Sequence, residues 1–354
     1  MAESCCPSTP LVILPEDVIF QILIWLPVQS LLRFKSVCRS WYTLIKSSHF
    51  IKRHITAITV DDKNSSRLGG TFICRHESLE TQESTPSFYF LSEKGGFKKL
   101  EDLGKRLGFK DVRQFCALHM EDSVHGIICL FNTITRDIFL WNPATRQCRP
   151  LPKSSNGNPK VGYTHYDFVG LGFDVKSKDY KVIKVSYFEP EENDELIFYS
   201  PRKVQIYCLS TDSRRLIDSD FRIVSGCATM GRSLNGDKLA CFTATREDCM
   251  IFKVWMLNDY NTVKESWSRL YTVDLMSPRL ETRYGWCRIL ANSYSGKFGL
   301  MWGKTLVCYN SITDEFEDLG LGKGMKPSYV RATIYKESLV SVDAHSSATK
   351  AFSS

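Results

Sequence analysis

The sequence predicts a two-part chain, a small all-α N-terminal head followed by a larger all-β domain. Three observations predict it. Residues 14–45, LPEDVIFQILIWLPVQSLLRFKSVCRSWYTLI, are dense in apolar side chains at helical spacing and are broken by Pro27. From about residue 88 onward, short β-branched and aromatic runs alternate with turn signals. The length, 354 residues, suits a small unit joined to a large one.

Within the head, Pro15 suits the first helical position, and Glu16 and Asp17 suit the positive end of the helix dipole. Ile19, Ile22, Leu23 and Leu26 fall on one face, while Val18, Phe20, Ile24 and Trp25 fill most of the remaining surface. Pro27 stops this first helix. Ser30 is expected to cap a second holding Leu31, Leu32, Phe34, Val37 and Cys38, and Ser40 a third with Trp41, Leu44 and Ile45. Three helices this short are marginal in water. The surplus apolar surface either meets a partner or packs on the downstream domain, and composition divides these evenly.

The ordered set Leu14-Pro15, Leu26-Pro27, Leu31, Arg33-Phe34-Lys35, Val37-Cys38 and Trp41 closely resembles the F-box. The resemblance implies docking onto a SKP-family adaptor, which links indirectly to a cullin scaffold and RING subunit in a ubiquitin ligase. It places adaptor contact on Leu14, Pro15, Ile19, Ile22, Leu23, Leu26, Pro27, Leu31, Phe34 and Trp41. Some of these instead hold the helices together, and sequence does not sort them.

The expected organisation is a tail at 1–10, the F-box at 11–55, a polar, loop-rich connection at 56–87, a β domain at 88–345 and a tail at 346–354. The β domain repeats itself: DIFLWNPATRQCRPL, KVQIYCLSTDSRRLI and TLVCYNSITDEFEDL each read strand, polar turn, strand. The turns start at Asn142, Ser210 and Asn310, with a looser version at Asn258, and such side chains can cap a turn by bonding to backbone N–H groups. The last two spacings, about 50 residues, fit the blades of an all-β, kelch-like β-propeller.

HGIICL, LWNPATRQCRPLP, GFDVKSKDYKVIKV and VQIYCLSTDSRR resemble the F-box-associated domain of plant F-box proteins. VWMLNDYNTVKESWSRLYTV and SYVRATIYKESLVSV are similar to S-locus F-box proteins of pollen, which implies pistil S-ribonucleases as targets. Two departures stand out. His125-Gly126 replaces the usual Asn-Gly, and SGCATMGRSLNGDK runs where the family has a longer repeat. One blade is therefore expected to be shortened or missing, which puts closure of the propeller and target binding in question.

Other function classes find little support. Hydrophobic residues at 43% and charged residues at 24% describe an ordinary globular protein. Apolar runs fall short of the roughly 20 residues of a membrane span, and the N-terminus lacks a secretory pattern. Thirteen scattered cysteines without a C-x-x-C pair read as reduced thiols in a cytoplasmic or nuclear protein. Residues 14–55 carry +4 of the net +7, from Arg33, Lys35, Arg39, Lys46, Lys52 and Arg53 against Glu16 and Asp17. That cluster suits an acidic partner better than nucleic acid, because interleaved aromatic platforms are lacking. Cys74 and His76 have no second ligand pair, and His119, Glu121, Asp122 and His125 read as a polar loop. No metal and no cofactor is expected.

The expectation is a non-catalytic substrate receptor of an SCF-type ubiquitin ligase. The rival is a non-degradative F-box protein with a defective target site. Loop aromatics and charges are the best candidates for target contact: Tyr163, His165, Tyr166, Tyr187, Phe188, Glu191, Glu192, Arg279, Arg283 and Tyr284.

Overall fold

The computed structural model describes residues 14–63, 71–77, 87–91, 97–99, 103, 107, 117–153, 163–174, 176–190, 203–217, 226–232, 239–245, 251–259, 266–274, 287–292, 297–302, 305–310, 313, 315–318 and 329–343. The head is α1 (Glu16–Leu23), α2 (Val28–Phe34), α3 (Arg39–Lys46) and α4 (Ser48–Lys63). The strands follow as β1 (Thr71–Glu77), β2 (Ser87–Leu91), β3 (Phe97–Lys99), β4 (Leu118–Val124), β5 (Ile127–Asn132), β6 (Ile138–Asn142) and β7 (Gln147–Pro150). Next come β8 (Tyr163–Asp174), β9 (Asp179–Pro190), β10 (Lys203–Cys208), β11 (Ser213–Ile217), β12 (Gly226–Arg232), β13 (Leu239–Thr245), β14 (Ile251–Asp259) and β15 (Ser266–Asp274). The last are β16 (Cys287–Asn292), β17 (Lys297–Trp302), β18 (Thr305–Asn310), β19 (Glu315–Asp318) and β20 (Tyr329–Tyr335).

These strands make five antiparallel four-stranded sheets: β4-β5-β6-β7, β8-β9-β10-β11, β12-β13-β14-β15, β16-β17-β18-β19 and β20-β1-β2-β3. The first strand of each packs beside the first strand of the next, β4 on β8, β8 on β12, β12 on β16, β16 on β20 and β20 on β4. Among the described residues these contacts close a ring of five four-stranded sheets, a propeller-like arrangement. Closure mixes the chain's two ends, because β20 pairs along its length with β1, Thr71 opposite Tyr335 and Glu77 opposite Tyr329.

Burial follows position in the blade. Every residue of β5 and β6 is buried, whereas the outermost β7 and β19 are half-buried or exposed. A sheet covered on both faces by neighbouring sheets selects continuous apolar runs rather than alternation. Trp141 of β6 meets Phe88 of β2 edge-to-face at 5.4 Å, packing one sheet against its neighbour.

The hairpins share one turn. Asn132, Asn142 and Asp174 each end a strand, and their side-chain oxygens accept two backbone N–H bonds from residues two and three places on. The residue after each such turn is left-handed without being glycine: Arg136 (φ 60°), Arg146 (φ 58°) and Lys178 (φ 51°). The left-handed conformation costs about 1–2 kcal/mol for an L-residue, and the two side-chain bonds offset it.

Several expectations change. Within the stretch 56–87 the described residues include the second half of α4 and all of β1. β1 escapes a local reading because its partner β20 lies more than 250 residues away. The segment SGCATMGRSLNGDK does not shorten a sheet; it supplies β12, the inner strand of a complete four-stranded blade. His119, Glu121 and Asp122 lie in β4 rather than in a loop.

After β20 the chain continues as an irregular segment, residues 336–343, against the sheet β4-β5-β6-β7. Its Leu339, Val340 and Val342 are buried in one apolar cluster that also contains Leu23, Ile24, Val28, Leu31, Ile45, Phe50 and Ile51 of the head. Ile127, Cys129, Leu140, Val169 and Leu171 of the sheets belong to the same cluster, so head and propeller share a core.

Candidate functional site

The head is assembled by prolines, a serine and an aromatic core. Pro15 and Pro27 are N-caps of α1 and α2, with φ −54° and −57°, so Pro27 starts a helix as well as ending one. A proline costs little there, because the first N–H groups of a helix lack intrahelical partners anyway. This displaces Ser30 from the expected cap into the body of α2. Ser40 likewise falls inside the first turn of α3, whose N-cap is Cys38. α1 closes through a tight turn in which Trp25 N–H and Leu26 N–H donate to the carbonyls of Ile22 and Leu23. α4 was not expected as a helix; the Ser47 hydroxyl accepts from Phe50 N–H at 3.2 Å at its start.

The inner face is dense. Phe20 meets Phe50 edge-to-face at 5.4 Å and stacks on His49 at 5.3 Å, and Phe34 meets Trp41 at 5.4 Å. The His54 ring is buried, with Nε2 2.9 Å from the Leu26 carbonyl and Nδ1 without a partner. Burial holds this imidazole below its ordinary value, opposed in part by the Leu26 bond.

The outer face is apolar too. Val18 and Ile22 of α1 are flanked by Leu14 just before the helix and Trp25 in the turn just after it, and Ile22 and Trp25 are 51% and 69% exposed. Val37 and Tyr42 add a second exposed pair at the α2–α3 junction. Among the described residues, six of the eight exposed large hydrophobic side chains lie on this head, the others being Ile134 and Leu216. Arg33, Arg39, Lys46, Lys52 and Arg53 are exposed around them. Burial, helped by Lys46, holds half-buried Lys35 below its ordinary value.

The expected adaptor residues now separate by burial. Leu14, Pro15, Ile22 and Pro27 face solvent. Ile19, Leu26, Phe34 and Trp41 are half-buried against the shared core. Leu23 and Leu31, at 1% and 0% exposure, are closed off and act as core. Val18, Trp25, Val37 and Tyr42 were not among the expected contacts; the helical spacing of Val18, Ile22 and Trp25 was the available signal.

The expected target residues are not gathered into loops. Tyr163, His165 and Tyr166 lie in β8, and Tyr187 and Phe188 in β9, with Tyr166 opposite Tyr187 and His165 opposite Phe188. They extend the longest hairpin of the described strands beyond its partner β10, which pairs with β9 only as far as Ser186. Glu191, Glu192, Arg279, Arg283 and Tyr284 lie outside the described residues.

The ionisable groups do not converge as an acid–base site. His119 Nδ1 lies 3.8 Å from a Glu121 oxygen on β4. His125, left-handed at φ 47°, turns instead to Tyr180 and Phe173, its Nδ1 3.1 Å from the Tyr180 hydroxyl. Among the described residues no three His, Cys, Asp or Glu side chains are grouped to hold a metal, and no helix is long and apolar enough to cross a membrane.

Two protein families match the chain: the F-box domain over residues 11–53 and the F-box associated beta propeller domain over residues 123–237. Similar curated proteins come from Arabidopsis thaliana. F-box protein CPR1 is 29% identical over 208 residues, covering 58% of this chain and 45% of its own. F-box protein At3g08750 is 27% identical over 240 residues (66% and 55%), and F-box/kelch-repeat protein At3g23880 is 28% identical over 205 (54% and 50%). The chain spans about half the length of these relatives.

Proposed function

Since the chain is a plant F-box protein with an F-box-associated β-propeller domain, we propose that it is the substrate-recognition subunit of an SCF-type ubiquitin ligase. The head docks a SKP-family adaptor, the propeller holds a protein target, and the chain itself makes and breaks no bonds. It acts by raising the local concentration of the target's lysines at the charged conjugating enzyme.

The observation that carries this reading is the apolar stripe Leu14, Val18, Ile22 and Trp25, turned to solvent while the opposite face of α1 lies in the core. Burying an exposed Val, Leu or Ile side chain is worth about 1.5–3 kcal/mol, so an unpartnered stripe of this kind favours a partner. The basic rim of Arg33, Arg39, Lys46, Lys52 and Arg53 adds attraction toward an acidic adaptor. Among the described residues, the thiols of Cys38, Cys129, Cys148, Cys208 and Cys308 lie outside any disulfide, which suits a reducing cytoplasmic or nuclear setting.

The test is reconstitution. Purified chain should form a stable complex with a SKP adaptor and, through it, with cullin and RING subunits; failure to bind any plant SKP adaptor contradicts the reading. Leu26 and Pro27 are poor sites for that test. One packs on the core and the other caps α2, so changing them would lose binding through misfolding.

The narrower reading is an S-ribonuclease as target. It rests on the similarity of VWMLNDYNTVKESWSRLYTV and SYVRATIYKESLVSV to pollen S-locus F-box proteins, segments that supply most of β14, β15 and β20. Recovery of a ribonuclease with the chain from pollen–pistil extract would support it, and a different bound target would replace it. The rival reading is a non-degradative F-box protein with a different or defective target site; stable association with a target that is never ubiquitinated would favour it.

A further inference from the structure

We propose that residues 336–343 are a latch that couples the stability of the helical head to the β4-β5-β6-β7 blade, and so fixes the docking face relative to the propeller. The proposal concerns the fold alone and stands whether or not the head binds an adaptor.

The latch has anchors on both sides. Asn142, buried at the end of β6, donates through Nδ2 to the carbonyls of Ser338 (3.1 Å) and Val340 (2.7 Å). Its Oδ1 meanwhile accepts from Ala144 and Thr145 N–H, so one side chain both shapes the β6–β7 turn and grips the segment. The Ser338 hydroxyl donates to the His125 carbonyl and accepts from Val340 N–H. Gly126, at φ 76°, leaves room for this approach, since a Cβ there would come within 2.6 Å of Ser338 Oγ and 2.7 Å of the Lys336 carbonyl. Farther along, Gln147 Nε2 donates to Asp343 at 3.0 Å, and Arg149 reaches the Val342 carbonyl at 3.5 Å.

On the opposite side, Leu339, Val340 and Val342, all nearly inaccessible, join the apolar cluster of Leu23, Val28, Leu31 and Ile45. Gln29 of α2 also lies 3.5 Å from Glu337. The segment makes no strand pairing, so its backbone carbonyls depend on side chains such as Asn142. A segment held by side chains to one sheet and by apolar packing to the head transmits loosening from one to the other.

Hydrogen exchange on the full chain tests this with two variants. Asn142→Asp retains the acceptor that shapes the turn and sets a carboxylate oxygen against two carbonyls. Ser338→Ala removes the hydroxyl bonds and keeps the volume. In at least one variant the latch and α1–α3 should exchange faster together, by about tenfold or more, while β13–β14 stay as in the parent. The proposal is overturned if the latch loosens and the head does not. It is equally overturned if every sheet loosens to the same extent, or if neither variant loosens the latch.

Discussion

α1 and β5 are close in composition and opposite in fate. VIFQILIWL at 18–26 and IICLF at 127–131 are both nearly continuous apolar runs. All of β5 is buried because blades cover both of its faces, whereas Val18, Ile22 and Trp25 of the first run stay exposed. A strand between sheets has every side chain covered by its neighbours. A helix on the rim of a head has one face covered and leaves its other apolar face in solvent. Apolar density in sequence therefore marks burial, and the neighbours decide whether that burial happens within the chain or between chains.

Substitutions of matched size should break this comparison most sharply. Leu130→Ala on β5 should destabilise by about 2–5 kcal/mol, read from denaturant unfolding. Ile22→Ala on α1 should change stability by less than about 0.5 kcal/mol. Equal losses at the two positions would mean that Ile22 is core after all.

Gly126→Ala sharpens the contrast at the latch, where backbone and neighbours leave no room. The left-handed strain and the crowding together should cost about 1–3 kcal/mol, measured as a lower thermal midpoint.

How much of this was legible beforehand depended on the range of the interactions. The Asn142 turn was legible because its cap lies two and three residues away. The pairing of β1 with β20 was not, because nothing local marks a partner at the other end of the chain. The head's helices were legible from Pro15 and Pro27. The division of Leu23 and Leu31 from Val18 and Trp25 was not, because periodicity reports that a face is apolar and not what lies against it. Tyr166 resembled a loop residue because GYTHYD at 162–167 is turn-like in composition; its cross-strand pairing with Tyr187 places it in a hairpin.

The pH dependence should separate the two regions more gently. The His54 imidazole, held low by burial, stays neutral in the folded head after the unfolded chain has begun to protonate. Above about pH 6.5, the ordinary histidine value, both states are neutral and the full stability is present. As pH falls below that, the unfolded state binds the extra proton and stability declines until the folded value is reached. His54→Gln should flatten that decline in the melting of the head. An unchanged slope would assign it to other groups. Ser47→Ala should lower head stability by about 1 kcal/mol through loss of the α4 cap.

The most direct test of an outward apolar stripe is a binding titration of a purified SKP adaptor against the parent chain and Trp25→Asp, with melting of each recorded in parallel. The account predicts that the variant keeps its melting temperature within a degree or so and binds at least about 30-fold more weakly, the loss of a hot spot of roughly 2 kcal/mol. Undiminished affinity in a folded Trp25→Asp chain would contradict it.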